Sequence, residues 1–200
     1  MAFLDRALKA ADWLSLRAAW AGGSLLLLAA ALVSVDVILR KLFTVSLGGA
    51  DELSGYAFAI GTSWAFAFVL LRRANVRVDA VYHKLPLRAC ALLDLLALLA
   101  LGVFVTYLAR YGFEVMSTSW QLSARSNSAL KVPLWVPQAL WVAGLAVFLA
   151  TLALLLLRSL AALLAGDYAA IHALLGARSI VEDAQEEAAY ARELDGGKKP

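Results

Sequence analysis

Apolar positions along the chain gather into four long runs joined by short polar connections. The first covers residues 18–35 without a charge, and Asp36 follows as the run closes. The second covers residues 53–71, fenced by Asp51 and Glu52 before it and Arg72 and Arg73 after it. The third, residues 89–109, holds one ionisable side chain, Asp94, near its start; the fourth, residues 132–157, lies between Lys131 and Arg158. An α-helix needs about 20 apolar residues to cross hydrocarbon with its backbone hydrogen bonds satisfied internally. None of the runs alternates apolar and polar positions as a membrane barrel strand does. The pattern predicts an all-α, polytopic membrane protein. Its four transmembrane helices are expected over residues 18–39, 53–71, 89–109 and 133–157, within a domain of residues 1–158.

Beyond Arg158 the pattern changes. Leu160, Leu163, Leu164, Tyr168, Ile171, Leu174 and Leu175 recur at helical spacing, interrupted by Gly166-Asp167. This segment reads as an interfacial amphipathic helix or an extension of the fourth span. Ser179-Ile180-Val181-Glu182 has the spacing of a capping box, and an acidic stretch to Glu193 and a polar end follow it. Residues 159–200 are therefore expected to form a cytoplasmic tail with a second, solvated helix. The first run is longer than the roughly 7–15 apolar residues of a signal-peptide core and continues without a polar cleavage region, so it is expected to remain as a span.

Composition agrees with the runs. Of the 200 residues, 62% are hydrophobic and 16% charged, and the mean hydropathy is +0.77. Soluble domains hold roughly 45–50% apolar residues, so a soluble domain is excluded. Charge adds sidedness, because cytoplasmic connections carry the excess of Lys and Arg. An inside amino terminus places Arg6, Lys9, Arg17, Arg72, Arg73, Arg77, Lys84, Arg88 and Arg158 on the cytoplasmic side. It leaves Arg40, Lys41, Arg110, Arg125 and Lys131 outside. Both termini are accordingly expected in the cytoplasm.

Candidate chemistry changes the picture little. The two histidines, His83 and His172, lie in or near cytoplasmic segments without a partner at metal or haem spacing. The single cysteine, Cys90, reads as a small packing residue. No Gly-rich phosphate loop, nucleophile elbow or His-Glu-x-x-His motif is present, so neither an enzyme nor a cofactor is expected. Asp36 with Arg40, and Arg110 with Glu114, are four apart and pair locally near an interface, while Asp94 is shallow enough to reach cytoplasmic Arg or Lys. A transport pathway calls for polar groups or broken helices near mid-membrane, and these runs offer neither. Gly55, Ala59, Ser63 and Ala67 form a small-residue stripe on the second span that suits close helix approach, within this chain or to a partner. The connection over residues 117–131 is rich in Ser, Asn and Gln. Pro133 and Pro137 then bracket Trp135 where the fourth span begins; Trp135 and Trp141 read as interfacial anchors.

Three stretches together carry a resemblance. They are residues 35–43 (VDVILRKLF) with Ala50-Asp51-Glu52-Leu53-Ser54, then residues 71–79 (LRRANVRVD) with Leu85-Pro86, then residues 128–135 (SALKVPLW). In this order and spacing the chain resembles the small membrane (Q) subunit of tripartite ATP-independent periplasmic (TRAP) transporters over residues 18–157. One departure is Asn75-Val76 where the family often carries His-Ile, while Arg77-x-Asp79 is kept.

The resemblance implies a bacterial inner-membrane scaffold that supports a large multispan transport subunit. It also implies help in docking a periplasmic solute-binding protein, for ion-gradient-driven, normally sodium-coupled, uptake of a small organic acid. It implies no nucleic-acid partner. Arg40, Asp51 and Glu52 then mark the periplasmic ends of the first two spans, as ion pairs or partner contacts, and Arg72, Arg73, Arg77 and Asp79 form the cytoplasmic turn. The alternative from the residues alone is a self-sufficient small transporter or channel; a membrane redox subunit ranks behind it for want of a ligand set.

Overall fold

A computed structural model describes residues 2–73, 85–176 and 188. Five helices follow one another: α1 (Ala2–Phe43), α2 (Ala50–Leu71), α3 (Leu87–Gln121), α4 (Trp135–Leu164) and the short α5 (Tyr168–Leu175). Four of them are long and apolar enough to cross a membrane. Arg77, Asp79, His83, Lys84 and the expected helix after Ser179 lie outside the described residues.

The helix ends follow from local chemistry. α1 stops where Thr44 turns left-handed at φ 55, and α2 where Arg73 does the same. α3 opens after Pro86, whose missing N–H costs nothing in a first turn. α4 closes on Gly166 at φ 72: the Gly166 N–H reaches the Leu163 carbonyl at 3.0 Å and the Asp167 N–H reaches Ala162 at 2.9 Å, a paired closure that glycine permits. Asp167 then caps the next helix, accepting from the Ala170 N–H at 2.9 Å. The break anticipated at Gly166-Asp167 thus separates an extension of the fourth span from a distinct short helix.

In space the order is α1, α2, α4, α3, with α5 laid across α3 and α4. The core threads this layer through Ala67 and Leu70 of α2, Ala91, Leu98 and Val105 of α3, Phe148, Leu152 and Leu155 of α4, and Ile171 and Leu175 of α5. Small residues set the spacing. A Cβ on Gly22 of α1 would lie 2.8 Å from the Gly61 carbonyl oxygen of α2. One on Gly144 of α4 would lie 2.4 Å from Ser63 Oγ, and that approach lets the Trp64 indole N–H donate to the Leu140 carbonyl at 2.9 Å. Helices in hydrocarbon associate through this kind of close packing, because lipid removes the hydrophobic incentive.

α1 is longer than its apolar run foretold. Its 42 residues extend roughly 63 Å at 1.5 Å per residue, about twice the hydrocarbon thickness. The amino-terminal turns are tied to the rest of the bundle rather than projecting alone. Asp12 meets Arg72 at 3.7 Å, Asp5 accepts from Arg158 at 3.1 Å, and Leu8 packs against the core.

Candidate functional site: the two ends of the bundle

The connections gather most of the polar chemistry at two ends. One, the loop end, carries the 44–49 linker and the 122–134 loop; the other, the tail end, carries the first turns of α1, the last turns of α2 and α4, and α5.

At the loop end, Asp36 is the organising residue. It is 2% exposed and holds three donors: the Leu47 N–H at 2.6 Å, Ser46 Oγ at 3.1 Å and the guanidinium of Arg40 one turn on. A buried carboxylate is tolerated only when charge and hydrogen bonds meet it, and here the meeting folds the linker back along α1. The expected Asp36–Arg40 pair is present, and the linker contacts are what sequence spacing alone did not disclose.

Glu52, in the first turn of α2, accepts from the Tyr56 hydroxyl at 2.5 Å, with the Ser126 and Ser128 hydroxyls beside its carboxylate. Those serines also build the loop. Ser126 donates its N–H to the Val132 carbonyl at 2.9 Å and receives the Val132 N–H on its hydroxyl at 3.0 Å, while Ser128 Oγ accepts from the Leu130 N–H. Leu130 is seated on the linker, since a Cβ on Gly49 would lie 2.3 Å from its Cδ1. Asp51 stays exposed at the helix start, where the peptide dipoles favour an anion. Trp135 meets Trp120 edge-on at 4.5 Å, joining the ends of α3 and α4, and Trp141 lies over Gly112 of α3. The structure therefore brings Arg40, Asp51, Glu52, Trp135 and Trp141 to one end.

At the tail end, Arg72 lies against Asp12 and over the Phe68 ring at 5.2 Å, and Arg73 turns the chain out of α2. Asp94, buried at 4% exposure, has His172 of α5 at 3.8 Å, and Arg88 lies over the Tyr168 ring at 5.5 Å. His172 is a neighbour for Asp94 that the sequence did not name, because only the fold returns α5 to α3.

Between the ends the interior is filled. Leu145 and Leu152 are fully buried, Val105 nearly so, and the buried hydroxyls of Ser63 and Thr151 donate to carbonyls of their own helices, Ile60 and Val147. Among the described residues no group of three His, Cys, Asp or Glu could hold a metal ion. Outside, a groove of ≈ 510 Å³ runs along α1, lined by Ala19, Trp20, Gly23, Ser24, Leu27 and Phe68 among others.

Four helices long and apolar enough to cross a membrane, packed closely on one another, define a multi-pass membrane protein. Residues 29–164 match the model of the DctQ component of tripartite ATP-independent periplasmic transporters. The match takes in all of α2, α3 and α4 and the last 15 residues of α1, 29–43, and the chain belongs to that family. It is thus a small permease component of a TRAP transporter. Neither the comparison with curated proteins nor that with solved structures finds a match.

Proposed function

We propose that this chain is the static scaffold of its transporter. It braces the large multispan subunit and helps the periplasmic solute-binding protein dock, for ion-gradient-driven, sodium-coupled uptake of a small organic acid into the bacterial cell. The loop end faces the periplasm and both termini lie in the cytoplasm. The tail end carries Arg6, Lys9, Arg17, Arg72, Arg73, Arg88 and Arg158, the excess of cations that stays inside. Residues 1–158 form the membrane domain and residues 159–200 the cytoplasmic tail.

One observation carries the scaffold reading. Gly22 and Gly23 are neighbours in α1, yet only Gly22 is needed by the chain's own packing. A Cβ on Gly23 meets nothing within 4 Å, and Gly23 opens into the groove beside the exposed Ser24. A mid-helix glycine costs about 1 kcal/mol relative to alanine, and an exposed one with no internal neighbour is explained by another helix approaching closely. That helix belongs to the large subunit.

The test is recovery of tagged protein from its native membrane in mild detergent, with mass spectrometry of what accompanies it. The reading predicts stoichiometric recovery of one large polytopic protein. Recovery of this chain by itself, still moving solute in liposomes, would replace the scaffold with a self-sufficient transporter.

A further inference from the structure

At the loop end most carboxylates are engaged: Asp36 meets Arg40, Glu114 meets Arg110 and Glu52 is turned to Tyr56, while Asp51 stands exposed at the start of α2. Lys41, Arg125 and Lys131 are all exposed, and among the described residues none of the three has a carboxylate partner.

Their setting is rigid. The Arg125 guanidinium donates to the Lys131 carbonyl at 3.3 Å, and Arg125 bridges backbone to Pro133. Lys131, at φ 46, is held by its N–H on the Ser128 carbonyl at 3.3 Å. The Ser126 and Ser128 bonds close the loop beneath them, and Leu130 seats it on Gly49. Lys41 stands in the last turn of α1, beyond the point where Asp36 receives the returning linker.

Position separates a protein partner from lipid. Trp120 and Trp135 pair where α3 ends and α4 begins, the place aromatic residues take at the headgroup level. Arg125 and Lys131 lie in the loop beyond that pair, outward of the belt.

We infer that Lys41, Arg125 and Lys131 form a basic docking rim that receives an acidic face of the periplasmic solute-binding protein. The inference rests on the scaffold-and-docking reading above and adds the chemistry of the contact. Exposed charges at the rim of an interface act chiefly on the association rate and its salt dependence. A rim of this kind guides repeated delivery without holding the delivered protein.

The test uses the assembled complex with its large subunit in nanodiscs of zwitterionic lipid, and the periplasmic binding protein of the same transporter. Association is followed at low and high salt for the wild type and for Arg125→Glu/Lys131→Glu. The expected result is a wild-type rate that falls as salt rises, and a variant rate about tenfold lower at low salt that no longer falls as salt rises, with an unchanged dissociation rate. Equal rates for the two proteins at low salt would overturn the basic rim while leaving docking itself intact. So would a salt dependence that appears only when anionic lipid is added, which would assign the cations to headgroups. Absence of any association by the wild-type complex would remove the docking reading and the rim with it. Retention of the large subunit by the variant shows that it still folds, and a Lys substitution on the acidic face of the binding protein is expected to restore the variant's rate.

Discussion

The outer faces of α1 and α3 bound the same layer and are built differently. In its membrane stretch α1 turns Ala21, Gly23, Ser24, Ala30, Ala31 and Ser34 outward between its larger residues, with a groove beside Gly23. The outward face of α3 is dominated by Leu92, Leu93, Leu96, Leu99, Val103 and Phe104, and the groove of ≈ 580 Å³ that it shares with α4 is lined by large side chains such as Leu99, Val103, Leu149 and Leu156. A face of large apolar side chains is what acyl chains solvate well. A face with small residues lets another helix backbone come close. The difference teaches that exposure inside a membrane has two meanings, and side-chain size tells them apart.

Substitutions on the two faces and behind them are expected to have graded effects. The largest effect is expected at Gly22→Leu, which drives a side chain into the Gly61 backbone. A cost of about 3 kcal/mol and loss of the folded chain from detergent extracts follow, read by size-exclusion chromatography. Next comes Asp36→Ala, which leaves the Leu47 N–H and the Arg40 guanidinium without their acceptor. Thermal unfolding in detergent is expected to report a loss of about 2 kcal/mol. Gly23→Leu tests the outer face itself: the isolated chain keeps its unfolding temperature or gains slightly, yet recovery of the large subunit falls more than about tenfold. The smallest effect belongs to Phe104→Leu on α3, with stability changed by less than about 0.5 kcal/mol and partner recovery untouched. Equal loss of the partner from the Gly23 and Phe104 variants would erase the distinction between the faces.

Much of this architecture could be read from residue order. Run length and charge fencing foretold the four membrane helices, Gly166-Asp167 foretold the break before α5, and the four-residue spacing foretold the Asp36–Arg40 and Arg110–Glu114 pairs. These are local effects, carried by neighbours along one helix. The small-residue stripe of α2 was only half resolved: Ser63 and Ala67 pack within the chain, but Gly55 faces open space.

What sequence did not disclose depends on contacts across the chain. Asp5 and Asp12 extend α1 backward by pairing with Arg158 and Arg72, so the helix begins well before its apolar run. Leu130 on Gly49 and Trp64 on Leu140 join segments far apart in order, and no periodicity encodes such a meeting. The 117–131 connection read as a wet loop, but residues 117–121 continue α3. The hydroxyls of Ser126 and Ser128 accept the backbone N–H groups that close the remaining loop and stand beside Glu52, a role visible only once α2 is placed next to it.

In the proposed arrangement the outer face of α1 seats the large subunit while the outer face of α3 meets lipid. A photoreactive residue placed singly at Leu27, 74% exposed, and at Leu96, 61% exposed, tests it in intact membranes. An adduct with one large polytopic protein is expected from position 27 and lipid adducts from position 96. The reverse pattern, or protein adducts of equal yield from both positions, would contradict it.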